Sequence, residues 1–285
     1  MKEPLLVIDA DPICYAVAFA AQDYAVVDEN GNIHNVYATA RDAKEAAVFP
    51  DDQVLPYPEH IDCVKQRVDE QMNFLLDEMQ TNSYSAFLTG CKLHENFRYA
   101  ANPSYKANRK NLVKPYHYDN VREYLVSAWN CQLSKNGIEA DDELSIWGWD
   151  AYLNGHEDVI ICSIDKDLDQ VPGYHYRWPT HNKEGNYYWV SEEEAKKTFW
   201  ISVLTGDTVD NIIGLYRVGP KKAEKMLEGC QTDLEYYEAC KEQYIQHLSE
   251  KLGSAESAVE LMHMNCKMLH LLRTEEDEWE PSIYV

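Results

Sequence analysis

The chain has 285 residues, 45% of them hydrophobic, and a formal net charge of −23. That length suits one large domain or a domain with an appendage. No apolar run approaches a membrane span, MKEPLLVID lacks the long apolar stretch of a signal peptide, and the chain is expected to be cytosolic. The eight cysteines are scattered, with no CxxC pair and no Cys/His ligand spacing, which argues against zinc and against a disulfide framework.

In chain order, Pro4–Ile8 is a short apolar run that reads as a buried strand ending at Asp9, and Pro12 can open a helix through Gln22. AVVDENGNIHNVYA has the pattern of a hairpin turning at Asn30-Gly31. Residues 40–60 are polar and proline-bearing and read as a surface insertion. Val64, Val68, Met72, Leu75 and Met79 recur at helical spacing within 62–80, and residues 84–89 form a second strand. Residues 91–115 read as an exposed loop or arch, with Arg98, Lys106, Arg109, Lys110 and Lys114 interleaved with Tyr99 and Tyr105. Helices are expected at 117–130 and 140–153, a buried strand at 157–164 and a later strand at Tyr187–Val190. Ser191 and Glu194 have capping-box spacing, so a helix should run from there to about Thr205. After Gly206 the chain reads as wholly helical, with one helix at 254–272 and an acidic, mobile tail TEEDEWEP. Strands alternating with helices predict an α/β fold, a mainly parallel sheet flanked by helices.

Clusters of acids mark the ends of strands and the starts of helices: Asp9 and Asp11; Glu139, Asp141 and Asp142; Asp165, Asp167 and Asp169; Asp207 and Asp210. Gathered carboxylates repel one another unless a cation sits among them, and hard divalent ions prefer oxygen ligands. Ligands in open α/β sheets sit outside the carboxyl ends of the strands, so Asp9 and Asp165/Asp167 are expected to converge. Glu139 and Asp142, three apart, would share a helix face and a metal, and Asp207 and Asp210 have the same spacing. DKDLDQ is not a calcium loop, because Gln170 replaces the turn glycine and Tyr176 the terminal glutamate. With 49 acids in the chain, one such cluster could arise by chance, but the whole series is hard to obtain that way. In DNIIGLYRVGPKKAEKMLEG, Gly214 can end a helix and Pro220 can begin another. Free N–H groups at that start, with Lys221, Lys222 and Lys225 beside them, suit phosphate. No base-reading set accompanies them, so the grip should ignore sequence.

Together these motifs resemble the 5′-nuclease superfamily: flap endonucleases, the 5′-nuclease domain of bacterial DNA polymerase I and, nearest in compactness, the 5′→3′ exonucleases of small phages. The resemblance runs from LLVIDAD to about Leu227. It implies a PIN-like nuclease core at 1–205, an arch at about 91–115, and a helix–three-turn–helix with a C-terminal helical region at 206–285. It implies metal ligation by Asp9, Glu139, Asp141, Asp142, Asp165, Asp167, Asp207 and Asp210, and catalytic contacts from Lys106 and Arg109. DNA contacts are implied for Tyr105, Asn108, Lys110, Gly219, Lys221, Lys222 and Lys225. The implied cofactors are two or more Mg2+, replaceable by Mn2+, and a K+ at the helix–three-turn–helix. The implied partner is duplex or flapped DNA, or an RNA–DNA hybrid, in a host cytoplasm if the chain is phage-encoded. The chain departs from the pattern after its second strand, where an aspartate is usual: here stand Gly90, Cys91 and Lys92, and the next acid is Glu95. That departure motivates one competing reading, a DNA-holding protein whose nuclease is lost. Asp9/Asp11 and GDTVDN motivate another, a haloacid-dehalogenase-like phosphatase, which leaves the other motifs unexplained.

Overall fold

The computed structural model describes residues 3–281. Its strands are β1 (Leu5–Asp9), β2 (Gln22–Val27), β3 (Ile33–Tyr37), β4 (Gln53–Pro58), β5 (Ser83–Leu88), β6 (Gln132–Leu133), β7 (Val159–Cys162), β8 (Gly173–Arg177), β9 (Asn186–Val190), β10 (Gly206–Asp207) and β11 (Ile212–Ile213). Its α-helices are α1 (Asp11–Ala20), α2 (Ala40–Ala46), α3 (Ile61–Glu78), α4 (Phe97–Ala101), α5 (Tyr118–Trp129), α6 (Ala140–Leu153), α7 (Glu192–Thr205), α8 (Pro220–Met226), α9 (Asp233–Leu252) and α10 (Ala255–Leu269).

Six strands form the main sheet in the order β6-β5-β1-β7-β8-β9. All neighbours are parallel except the antiparallel pair β8–β9. Side chains alternate across a pleated strand, and β1 shows it. Leu6 and Ile8 enter a core with Val64, Val68, Met72 and Leu75 of α3 and Val121 and Leu125 of α5. Val7 enters the opposite core with Phe87, Ile161 and Leu144 of α6. A central strand buried on both faces is why LLVID is a continuous apolar run.

A third cluster joins Phe199, Trp200, Val203 and Leu204 of α7 to α9 and α10 through Tyr236, Tyr237, Cys240, Tyr244, Met262 and Cys266. The helix α7 therefore packs with the helices that follow Gly206.

Three expectations are corrected. Residues 40–60 are not merely a surface insertion: they hold α2 and β4, and β4 pairs with β2 in a separate antiparallel sheet of order β3-β2-β4. The prolines at 56 and 58 disguised this strand, and they are tolerated because β4 lies at an edge. The region after Gly206 is not wholly helical, because β10 and β11 form a small hairpin before Gly214. The tail is not loose at Trp279, which is buried in the helical core, while Asp277 accepts from Arg273 N at 2.9 Å and pairs with His270 Nε2 at 2.9 Å. No helix among the described residues is long and apolar enough to cross a membrane.

The hairpin depends on Gly206. Its φ of 68° and ψ of −178° fall in a region that only glycine occupies, and a Cβ there would collide with the backbone of Gly214 and Ile212. Gly206→Ala should therefore cost about 2–4 kcal/mol in urea denaturation. A midpoint equal to wild type would show that the hairpin is not held by this approach.

Candidate active site

Asp9 ends β1, and Asp165 and Asp167 follow β7, the strand beside it. Parallel neighbours present their C-terminal ends on one edge, which is why acids 156 residues apart in sequence meet. Glu139 is the N-cap of α6 and Asp141 lies in its first turn. Asp207 and Asp210 sit on the β10–β11 hairpin. All seven carboxylates, with Asp11, Lys106 and Arg109, line one cleft of about 1190 Å³. Among the described residues no three of them stand in a metal-ligating arrangement. Two are instead engaged by cations. Lys106 Nζ pairs with Glu139 and lies 3.5 Å from Asp210 Oδ2, and Arg109 pairs with the other oxygen of Asp210.

Crowding shows in the acidities. Burial, and then the charges of Asp11 and Asp165, push Asp9 up to about 8, against a hydrogen bond from Ser163 Oγ at 2.9 Å. Asp167 is pushed up to about 7 by burial and by Asp165. Asp141 is raised well above its usual range by burial and by its neighbours Asp142 and Glu139. Burial opposes the ionisation of Glu139 as well, but Lys106 and Arg98 outweigh it and hold the group below the usual range.

Residues 91–115 are not an open loop throughout. They form a 3-10 turn at 93–95, the short α4, and a second 3-10 turn at 107–111 that docks on the hairpin. Asn108 Nδ2 donates to Thr208 O at 3.0 Å and Val209 O at 3.2 Å, while Asn211 Nδ2 donates back to Ser104 O at 2.7 Å. Lys106 holds a left-handed backbone with φ of 53°, and its N–H bonds Asp210 O at 2.9 Å. Such a conformation in a residue with a side chain is held by its surroundings and is concentrated at functional positions. Tyr105 is not an exposed DNA contact. It is buried, and its hydroxyl donates to Glu139 Oε2 at 2.6 Å and contacts Asp210 Oδ2 at 3.1 Å, so it bridges two acidic clusters. In this state Asn108 is likewise spent on the hairpin, whereas Lys110 is exposed.

Asp142 does not line the cleft. It is fully buried, with both oxygens bonded by Arg98 at 2.7 Å, so the expected sharing of a metal with Glu139 is not what the helix does. Glu139 is a non-helical cap, and Asp142 turns back to accept its N–H at 3.1 Å. Arg98, read as part of a basic exposed segment, is itself buried. Glu95 caps its own turn through Lys92 N and does not replace the missing aspartate. A side chain at Gly90 would place its Cβ 2.5 Å from Ser134 O, so the backbone just after β6 leaves no room for one.

Gly219 caps α8 and lines the cleft, and Lys221, Lys222 and Lys225 are exposed on α8. The residue before Gly214 belongs to β11 rather than to a helix, so the expected pair of helices around the turn is reduced to one. Sequence reasoning passed over Arg122 of α5, whose guanidinium lies 3.2 Å from Asp11 Oδ1 and also bonds Thr89 O. Lys114, read only as part of the basic segment, sits over the Tyr118 ring at the cleft wall. No local motif marks Arg122; only the packing of α5 against the sheet brings it in.

No family model matches the chain. Sequence relatives exist. The DNA polymerase I of Rhizobium leguminosarum is 33% identical over 144 residues, 47% of this chain and 14% of that protein. The exonuclease of Escherichia phage T7 is 29% identical over 115 residues, 40% of this chain and 37% of that protein. The chain thus spans well under half the length of these curated relatives. In fold it matches a 5′-exonuclease of phage T5 with bound zinc, at a TM-score of 0.56 and 16% identity over 94% of this chain and 89% of that one. A T5 flap endonuclease complex with DNA and metal ions matches with a TM-score of 0.55 and 16% identity over the same shares of the two chains. In sequence over about half its length or less the chain is similar to a bacterial DNA polymerase I and a phage exonuclease, and in fold over nearly all of it to phage 5′-nucleases.

Proposed function

We propose that the protein is a metal-dependent 5′→3′ exonuclease and flap-type endonuclease. It would hydrolyse phosphodiesters near the 5′ ends of duplex DNA and leave 5′-phosphate and 3′-hydroxyl ends. The observation that carries this reading is the convergence of carboxylates from four separate elements on one cleft that also holds Lys106 and Arg109. The donor set fits hard divalent ions: it is all carboxylate oxygen, and Asp9, Asp141 and Asp167 in it resist ionising beside their acidic neighbours. Mg2+, with Mn2+ as substitute, is the cofactor that this chemistry favours.

In this reading Asp9, Glu139, Asp141, Asp165 and Asp167 hold ions, and Asp207 and Asp210 form a second, looser position. Bound there, the ions would lower the pKa of a water and offset charge on the leaving 3′-oxygen. Lys106 and Arg109 would exchange their carboxylate partners for the scissile phosphate and offset its developing charge. Tyr105 keeps Glu139 and Asp210 in register through its two contacts. Exposed Lys221, Lys222 and Lys225 would hold duplex backbone against the repulsion of a chain with net charge −23. The phosphatase alternative draws no support from the relatives, which are exonucleases and polymerases.

The deciding assay is incubation with 5′-end-labelled duplex and flap DNA, with and without Mg2+. Metal-dependent release of mononucleotides or short 5′ fragments is expected. Binding without cleavage, with Mn2+ as well, would mean that the side-chain exclusion at Gly90 has left a protein that only holds DNA. Asp165 caps the turn after β7 by accepting from Asp167 N at 2.9 Å, and asparagine can keep that bond. Asp165→Asn should therefore fold and bind DNA while losing about 10³-fold or more in kcat, several kcal/mol of metal-derived stabilisation. Full activity of that variant would sink the assignment.

The raised acidities predict a pH effect in the metal-free protein. The native state keeps protons on Asp9 and Asp167 up to about 8 and about 7, while the unfolded chain loses them near its ordinary value of about 3.9. The native state thus binds more protons across that window, and stability falls as pH rises through it. His175 and His263 are held below the usual histidine range and act oppositely, but their contribution is complete above about pH 6.5. In EDTA the urea midpoint should therefore drop between about pH 7 and 8.5. Saturating Mg2+, which binds the ionised form, should abolish the drop. A flat profile in EDTA would contradict this electrostatic account.

A further inference from the structure

The last turn of a helix leaves its carbonyls without partners and carries partial negative charge. At the end of α10 three consecutive carbonyls are taken by side chains from elsewhere in the fold. Met268 O accepts from Arg98 Nε at 2.9 Å, Leu269 O from Gln170 Nε2 at 3.1 Å, and His270 O from Arg98 Nη2 at 2.7 Å. Arg98 is 2% exposed, and its remaining reach goes to Asp142, with Glu139 Oε2 3.7 Å from Nη1. Leu272 N adds a contact to Asp142 Oδ1 at 3.4 Å. Gln170 ends the 3-10 turn at 166–170 that carries Asp167 and is capped by Asp165. Asp142 is the residue that accepts the N–H of Glu139. One stretch of backbone, 268–272, therefore touches the supports of both groups of cleft carboxylates.

We propose that this stretch is a strut that fixes the start of α6 against the turn after β7, and so sets the spacing between Glu139/Asp141 and Asp165/Asp167. Arg98, Asp142 and Gln170 are its positioning residues; none of them lines the cleft. The proposal rests on the metal-dependent reading above. It also gives Gln170, the residue that excluded a calcium loop, and Asp142, the acid that does not face the cleft, a shared role.

The test is Mn2+ binding followed by electron paramagnetic resonance on wild type, Arg98→Lys and Gln170→Leu, with steady-state kinetics on duplex DNA at varied Mg2+. Loss of groups that orient metal ligands typically costs about 10–100-fold in affinity. Each variant should weaken Mn2+ binding in that range and raise the Mg2+ needed for half-maximal rate in step. The KM for DNA at saturating Mg2+ should not change. Val68→Ala, a core truncation on the other face of the sheet, supplies the control for lost stability alone and should leave Mn2+ affinity unchanged. Gln170→Leu removes one neutral hydrogen bond and decides the matter if Arg98→Lys does not fold. Wild-type Mn2+ affinity in folded Gln170→Leu would overturn the strut while leaving the nuclease reading intact. A wild-type protein that binds no Mn2+ would overturn both.

Discussion

The constraint on which the site depends is the mutual repulsion of carboxylates held out of water. Asp9, Asp141 and Asp167 are each buried enough to resist ionising, and each is made worse by an acidic neighbour. Such a cluster can persist in three ways: as protonated acid, paired to basic side chains, or filled by metal ions. The structure combines the first two. Asp9, Asp141 and Asp167 are raised, while Glu139 and Asp210 are paired with Lys106 and Arg109. The cations are thereby already inside the cleft, where the proposed reaction would bring the negative charge of a phosphate.

The fold supplies the rigidity that this crowding demands. The acids stand on ends of regular elements, where backbone hydrogen bonding fixes their origins: a strand end for Asp9, a helix cap for Glu139, a capped 3-10 turn for Asp165. The hairpin carrying Asp207 and Asp210 is closed by the contact of Gly206 with Gly214 and clasped by the segment 104–109. Behind these, the buried pair of Arg98 and Asp142 is compensated on every side. A buried charge without such partners would be strongly destabilising.

Much was legible in the chain. The amphipathic period of α3 and the capping box of α7 follow from local rules, and α6 occupies the very residues read for it. Asp9, Asp165 and Asp167 were legible because they follow apolar runs, and Glu139 and Asp141 because they open a helix. What was misread shares a cause. Tyr105, Arg98 and Asp142 are polar residues in polar surroundings along the sequence, and polarity there reads as exposure. Their burial comes from partners far along the chain: Tyr105 from Asp210, Arg98 from Met268 and His270. The strand β4 was hidden by its prolines, which an edge position allows.

The sequence by itself determined the class of fold, through the alternation of apolar runs with helical periods, and the acidic character of the site, through the supply of carboxylate oxygens at the ends of those elements. Both are local properties, fixed by residue type and spacing. Only the tertiary structure decided which acids face the cleft and which one is consumed inside the protein. Asp141 and Asp142 are adjacent and chemically identical, yet one lines the cleft and the other is locked to Arg98. Successive residues of a helix point about 100° apart, and which direction is solvent and which is core depends on what packs there. Here that is the end of α10, which nothing near residue 142 in the sequence announces.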